Sequence, residues 1–335
     1  MSLQDHYNAK PGRMGRVYGG VGMAMAGPPG VRDIYRILKL DFAWAGLVYR
    51  NLGTRSSGRI PAAGKGGLME AWERDPKKFR QKVREGAWRG PTAGMCPGYA
   101  QANLIILPKD AAADFLLFCQ RNRKACPLLE IGAAGDPVLK DVAPGADLRI
   151  DLPAYQVFKS GELVEERENL VGLWQDDLVA FLLGCTYTFA EALSQAGFCP
   201  PGPGEEPGSC VYATDLPAEA AGPFAGPLLV LAGAVPKTRL AEAVLITSRQ
   251  RKAFGAPVHV GDPAAIGIKD LSRPQSGNKG LAPGPGEVAV FWVCGETAQA
   301  AVMRAKVPLV IKNKPGHLFV TDLPVGQAVG STQPD

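Results

Sequence analysis

An α/β fold of mixed sheets with helices is what this sequence predicts, and three observations predict it. From about residue 75 to residue 324, short apolar runs of β character alternate with segments that carry helix caps and helical spacing. Apolar residues make up 46% of the 335-residue chain and charged residues 21%. That is enough apolar material for a packed core and excludes wholesale disorder. Gly (41) and Pro (29) are scattered without a period, which excludes a fibrous repeat and implies many tight turns between elements.

Residues 1–70 stand apart from this alternation. Residues 1–60 carry nine Lys or Arg against three Asp, and the first Glu is Glu70. This reads as a basic N-terminal extension, either an organelle-targeting segment or a solvated, partly disordered arm. Asp5 and the Gly/Pro run at 27–30 interrupt the amphipathic helix that targeting segments use. Residues 34–48 have the apolar content of a docking helix, and residues 55–67 form a small-residue linker.

The ordered elements begin at Asp75-Pro76. Asp as N-cap with Pro at the first helical position opens a helix to Arg84, with Gly86 as its stop. Gly90-Pro91-Thr92-Ala93-Gly94 and Pro97-Gly98-Tyr99 form a dense turn segment before an apolar strand at 102–107. Asp110 caps a helix through Arg121, apolar on nearly all sides and therefore buried. A hairpin spans 155–165, with Lys159-Ser160-Gly161-Glu162 at its turn. Residues 176–183 read as a second buried helix ended by Gly184. Thr188-Phe189-Ala190-Glu191 is a capping box for a third helix that ends near Gly197. Residues 198–226 read as a Pro/Gly-rich loop. A strand at 227–235 and a helix at 237–246 follow. Strands at 286–294 and 307–312 flank a helix that starts near Thr297. A last apolar piece lies at 318–323, and after Pro324 the tail frays.

Several function classes drop out. The formal charge is +5 and the arm holds +6, so the remainder is near neutral and shows no basic footprint for nucleic acid. No run of 18 apolar residues is present to span a bilayer. Cys96, Cys119, Cys126, Cys185, Cys199, Cys210 and Cys294 are odd in number and lack CxxC spacing, and there are three His. Zinc ribbons, redox CxxC motifs and disulfide frameworks lack support, and a reducing compartment is the simplest. Gly20-Val21-Gly22 would need Gly where Met25 stands to make a dinucleotide fingerprint, and no P-loop, HExxH or GxSxG pattern occurs.

Five segments carry side chains suited to chemistry. Gly184-Cys185-Thr186-Tyr187-Thr188 precedes a capped helix start, where amide hydrogens and the dipole suit an anion and favour a thiolate at Cys185; a buried structural Cys in a turn is the alternative. His259 and Asp262 share a Gly/Pro-bounded loop, as base and orienting carboxylate or as an ordinary Asp turn. His317 follows Gly316 in a turn, as a proton donor or a structural contact. Thr92, Tyr99, Gln101 and Asn103 are neutral donors in a Gly-rich loop, able to read carboxylate oxygens or to satisfy their own backbone. Arg249 ends a helix, as a carboxylate clamp or a complement to the helix terminus. Glu287, before a strand, is a weaker candidate acid.

These residues resemble a known family. Gly90-Pro91-Thr92-Ala93-Gly94, Pro97-Gly98-Tyr99, Gln101-Ala102-Asn103-Leu104 and Ile106-Leu107-Pro108-Lys109 are similar to the opening signature of the D-glutamate cyclase family, whose bacterial members usually carry a provisional hydro-lyase label. The likeness continues through Phe115–Asn122, Cys126-Pro127-Leu128-Leu129, Pro144-Gly145-Ala146-Asp147-Leu148-Arg149, Asp151-Leu152-Pro153 and Asp177–Leu182. Gly255-Ala256-Pro257-Val258-His259, Gly261-Asp262-Pro263 and Pro315-Gly316-His317 complete it, so that it spans about residues 77–324. It departs at Thr186-Tyr187-Thr188, where the family favours Ser, Phe, Ser, and at Arg251-Lys252-Ala253-Phe254.

The resemblance implies a two-lobed α/β fold with a central cleft. The expected division is a main lobe of 71–150 with 227–325 and a smaller lobe of 151–226. It implies dehydration of D-glutamate to 5-oxo-D-proline. The animal member resides in mitochondria, so the matrix joins the cytoplasm as an expected location. Cyclisation needs a base, a polarised γ-carboxyl, oxyanion donors and a carboxylate clamp. The expectation is His259 as base, oriented by Asp262, with His317 or Glu287 as acid. Donors around Cys185, Thr186 and Thr188 would hold an oxyanion, and Arg249 with Thr92, Tyr99 and Asn103 would bind the other end. The substrate is a small acidic molecule and no nucleotide cofactor is needed; a divalent metal stays open, and a homodimer is among the expected assemblies. The rivals are a Cys185-dependent amidase or acyl transferase and a non-catalytic binding protein for an acidic metabolite.

Overall fold

The computed structural model describes residues 70–198, 210–250, 253–276 and 280–325. The docking helix at 34–48, the linker at 55–67, Cys199 and the frayed tail lie outside the described residues. A single 3-10 turn, Ala71–Glu73, leads into α1, Pro76–Arg84. The Asp75 carboxylate accepts from the amides of Lys77 and Lys78 at 3.0 and 3.2 Å, as an N-cap before Pro should. α1 buries Phe79 and Val83, and its Arg80 donates to the Val320 carbonyl at 2.8 Å and to Asp322 at 2.9 Å.

β1 (Tyr99–Pro108) is followed at once by α2 (Lys109–Arg121). Asp110 lies in the first turn of α2 rather than capping it. Phe115, Phe118 and Cys119 are buried while Leu117 is 43% exposed, so this helix is one-sided, not buried all round. β2 (Leu128–Ile131) precedes an irregular stretch of residues 132–153. The Glu130 carboxylate holds that stretch by accepting from the amides of Lys140, Asp141 and Val142. β3 (Tyr155–Lys159) and β4 (Glu162–Arg167) form the predicted hairpin. Ser160 and Gly161 both have positive φ, 51° and 87°, the two-residue turn that matches strand twist.

Residues 176–183 are not a helix. β5 (Leu178–Gly184) is a strand buried along its whole length. An apolar run without polar punctuation has no period, and a strand covered on both faces is indistinguishable from a buried helical segment in such a run. α3 (Thr186–Gln195) starts two residues before the capping box, which places Thr188 inside its first turn. The expected loop at 198–226 contains β6 (Val211–Pro217). β7 (Pro227–Pro236), a 3-10 turn at Lys237–Arg239, α4 (Leu240–Ser248) and β8 (His259–Val260) follow. β9 (Glu287–Val293), α5 (Glu296–Ala305), β10 (Val310–Asn313) and β11 (Phe319–Pro324) complete the order.

The strands form two sheets, and every pairing is antiparallel. One has seven strands, in the order β2-β5-β1-β10-β3-β4 with β11 also on β1; the other runs β6-β7-β9-β8. Sheet membership does not follow the expected boundaries at 151 and 226. β3, β4 and β5 share a sheet with β1, whereas β6 pairs with β7. Antiparallel pairing lets neighbours be joined by short turns, so strand–helix alternation here does not build a parallel sheet.

The seven-stranded sheet has two unlike faces, because side chains alternate along each strand. Leu104, Ile106, Tyr155, Val157, Leu182, Ile311 and Phe319 make one core with Leu139, Val142, Leu148 and Leu152 of the irregular stretch. Ile105, Leu107, Phe181 and Leu183 face the other way and join α2 and the four-stranded sheet in one large core. No helix among the described residues is long and apolar enough to cross a membrane.

Candidate functional site

β1 explains where the polar residues gather. Gln101, Asn103, Ile105 and Leu107 alternate onto one face. Ile105 and Leu107 enter the large core, but Gln101 and Asn103 are polar, and both are buried. β10 aligns Lys312 with Ile105, and β3 aligns Gln156 with Lys312. One face of the sheet therefore passes from an apolar half to a polar end.

Two hydrogen-bond networks organise that end. In the first, the Thr92 hydroxyl donates to Gln101 Oε1 at 2.8 Å, and Gln101 Nε2 donates to the carbonyls of Thr92 (2.8 Å) and Met95 (3.2 Å). The Leu318 amide donates to Thr92 Oγ1 at 2.9 Å, and the Thr92 amide to the Gly316 carbonyl at 2.9 Å. On its other side, the Gln101 amide donates to Thr188 Oγ1 at 3.2 Å, and Cys185 Sγ lies 3.7 Å from the same hydroxyl. Thr92 and Gln101 thus tie the turn that carries His317 to the first turn of α3.

His317 is 9% exposed, and its Nδ1 donates to the Pro315 carbonyl at 2.8 Å. A carbonyl can only accept, so Nδ1 carries the proton and Nε2 is the basic nitrogen. Beside this turn, Glu166 receives Lys314 Nζ at 2.7 Å and Gln156 Nε2 at 2.9 Å. Burial pushes the Glu166 carboxyl up, but those two bonds and the nearby positive charges outweigh it and hold it below its ordinary value.

In the second network, Lys312 Nζ donates to Gln299 Oε1 at 2.9 Å, Gln299 Nε2 to Asn103 Oδ1 at 3.3 Å, and Asn103 Nδ2 to the Gly184 carbonyl at 3.4 Å. Burial pulls the Lys312 ammonium down to about 8, partly opposed by the charge of Glu296. Gly295 closes in on the same place, since a Cβ there would stand 3.1 Å from Asn103 Nδ2. A cavity of about 470 Å³ is lined by residues 120–125, Leu228, Val258 and Val293. Arg121, Arg123 and Lys124 are among the residues that line it. Ala125, also in the lining, stands two residues before Pro127, whose carbonyl receives the Gly184 amide at 2.8 Å.

Of the residues expected from sequence, Thr92, Asn103, Cys185, Thr188 and His317 are joined through these networks. Thr186 is next to Cys185, half-buried, at the start of α3. The others lie elsewhere. Tyr99 starts β1, pairs with Pro324 and packs with the Phe79 cluster. Arg249 is exposed at the end of α4. Glu287 pairs with Pro236 at one end of β9 and accepts from the Gly284 amide at 2.8 Å. Gly295 lies beyond the other end, a strand length of about 20 Å away.

His259 sits on β8 in the four-stranded sheet, 5.7 Å from the Phe291 ring. Its Nε2 donates to the Asp262 main-chain carbonyl at 2.7 Å. The Asp262 carboxylate does not orient the imidazole. It caps the 3-10 turn Pro263–Ile266 by accepting from the Ala264 amide at 3.0 Å, the usual place of an Asp before Pro.

Lys312 and Gln299 were not anticipated from the sequence. The available signal was period 2: in Val310-Ile311-Lys312-Asn313, Lys312 shares a face with core-facing Val310. Among the described residues no group of three or more His, Cys, Asp or Glu is arranged for a metal ion.

The fold and its polar end define a class: an antiparallel α/β protein with amide and ammonium groups on one sheet face and a histidine-bearing turn tied to it through Thr92 and Gln101. Comparison with known proteins narrows it. The sequence model of the D-glutamate cyclase family matches residues 179–322. A protein of Rubrobacter xylanophilus named "Putative hydro-lyase" is 49% identical over 243 residues, covering 72% of this chain and 93% of its own. Relatives from Geobacillus kaustophilus and Bacillus subtilis, whose names likewise begin "Putative hydro-lyase", are 46% and 45% identical over 247 and 248 residues, each covering 74% of this chain and 94% and 96% of their own. The chain belongs to the D-glutamate cyclase family, whose relatives carry the hydro-lyase name.

Proposed function

We propose that the protein removes water from a small acidic amino acid, with D-glutamate closing to 5-oxo-D-proline as the reaction. The α-ammonium gives up a proton, and its nitrogen forms a bond to the γ-carboxyl carbon. The nitrogen gives up a second proton, and the tetrahedral oxyanion collapses as one carboxyl oxygen, having taken both protons, leaves as water. In this reading His317, through Nε2, carries both protons in turn from the nitrogen to the departing oxygen. The first turn of α3, with Thr186 and Thr188, and the Asn103 amide supply donors to the oxyanion.

One observation carries this assignment: Thr92 and Gln101 bond on one side to the His317 turn and on the other to Thr188. His259 takes the second place, because it sits on β8 in the four-stranded sheet and its described bond joins neither network. The cytoplasm is the proposed compartment, in keeping with the bacterial source of the relatives; the basic arm behind the mitochondrial expectation lies outside the described residues.

The test is incubation with D- and L-amino acids and hydroxy acids, followed by mass for loss of water. D-Glutamate should lose water. His317→Ala should lower turnover about 100-fold or more, and His259→Ala should leave most of it. The reverse order would move the base to the four-stranded sheet. Thermal stabilisation by D-glutamate without turnover would mark a binding protein instead.

Cys185 supports a second reading, because its sulfur lies 3.7 Å from the Thr188 hydroxyl at a strand-to-helix junction. Cys185→Ser separates the two. Covalent acyl transfer should collapse, whereas an anion-binding turn should tolerate the exchange.

A further inference from the structure

We propose that Lys312 is the cation that grips a substrate carboxylate, and that Gln299 positions it, which makes the protein selective for diacids over monoacids. The inference rests on the acidic substrate proposed above and assigns its anchor. Lys312 is half-buried. Lys312 lies on the core-facing side of β10, aligned with Ile105, with its ammonium 5.5 Å from the centre of the Phe158 ring. Taking an ammonium out of water is costly unless an opposite charge joins it.

The other inward-leaning cations obey that rule. Buried Arg80 pairs with Asp322, and half-buried Lys314 pairs with Glu166. Lys312 pairs with no carboxylate among the described residues; its Nζ donates to the neutral Gln299 oxygen. Glu296 is close enough to act on it through charge, but the Glu296 oxygens receive the Ser276 hydroxyl at 2.9 and 3.0 Å. An anionic ligand is the partner this ammonium lacks.

Placement fits the same role. Gln299 bonds Asn103, and Asn103 bonds the Gly184 carbonyl, one residue before Cys185. A diacid with one carboxylate on Lys312 would extend toward the start of α3. Arg249, the clamp expected from the sequence, is exposed at the end of α4, and Lys314 is already paired. With its ammonium at about 8, Lys312 is about nine-tenths charged at pH 7.

The experiment measures binding of glutarate, D-glutamate and butyrate to wild type, Lys312→Met, Lys312→Arg and Gln299→Leu by calorimetry, with circular dichroism to confirm folding. Lys312→Met should weaken both diacids by about 30-fold, the worth of one charge-assisted bond away from water. Butyrate, with no second carboxylate to reach the start of α3, should bind wild type more weakly than either diacid. Lys312→Arg should restore part of the diacid affinity, and Gln299→Leu should lose a part while the charge stays. A Lys312→Met protein that binds glutarate like wild type overturns the proposal, as does a wild type that binds neither diacid. If Lys312→Met fails to fold, Lys312→Arg and Gln299→Leu decide, and diacid binding unchanged in both refutes the anchor. Lys312-dependent glutarate binding without water loss from D-glutamate would leave the anchor standing and remove the hydro-lyase reading.

Discussion

The two faces of the seven-stranded sheet are built from the same strands and do opposite work. On one, Leu104, Ile106, Tyr155, Leu182 and Ile311 are wholly buried and apolar, and the Tyr155 hydroxyl is satisfied by the Leu148 carbonyl at 2.7 Å. On the other, buried Gln101 and Asn103 and half-buried Lys312 take positions that apolar side chains would fill at less cost. The first face gains stability from every residue. The second gives up stability at one end to hold polar groups in a fixed arrangement, which is the usual signature of a site.

That contrast breaks most readily at Leu182, which is buried at the centre of the apolar face. Leu182→Ala should lower unfolding free energy by about 3 kcal/mol through lost burial and the cavity left behind, measured by urea titration at low temperature. Turnover per folded molecule should stay near that of wild type. Asn103→Leu should do the opposite, leaving the unfolding free energy within about 1 kcal/mol while turnover falls. If both variants lose stability and activity in step, the faces do not divide the work.

The sequence revealed what local chemistry dictates. Asp75-Pro76 and Ser160-Gly161 announce a helix start and a hairpin turn because the cap and the positive φ values involve neighbouring residues only. β5 stayed hidden because Leu178–Gly184 is apolar throughout, and only its neighbours β1 and β2 make it a strand. β6 was masked by the Pro/Gly-rich composition around it. At the site, closeness in sequence misled. His259 and Asp262 invite a pairing, yet Pro263 draws the Asp262 carboxylate into a cap. Gln299 and Asn103 meet across 196 residues, a contact with no local trace.

A smaller effect separates the cost of Lys312 from its use. The ordinary lysine value is 10.5 and the folded protein holds Lys312 at about 8. Between those values the unfolded chain binds more protons, so this group makes stability rise with pH across that window. Below pH 8 it is a full burden on the fold, and above 10.5 the burden is gone. Lys312→Met should therefore be more stable than wild type at pH 7 by about 1 kcal/mol or more, and the gap should close by pH 10.5. Urea midpoints for the two proteins at pH 7, 9 and 10.5 test this. A variant less stable than wild type at pH 7 would show that Lys312 stabilises the fold, and the contrast between the faces would lose its clearest member.

The finest test is Gly295, where the polar end meets the start of α5. Its φ of −63° suits any residue, so a substitution here brings no backbone strain. A Cβ would stand 3.1 Å from Asn103 Nδ2 and 3.7 Å from the Gly184 carbonyl, close enough to push the amide off its bond by a few tenths of an ångström. Gly295→Ala should cost about 0.5–1 kcal/mol as a poorer N-cap and lower kcat/KM for D-glutamate a few-fold. Gly295→Ser carries the same Cβ but restores a capping hydroxyl, so its stability should return while the kinetic loss persists. If Ser recovers both, the loss came from the helix start. If it recovers stability alone, the position of Asn103 matters to the reaction in its own right.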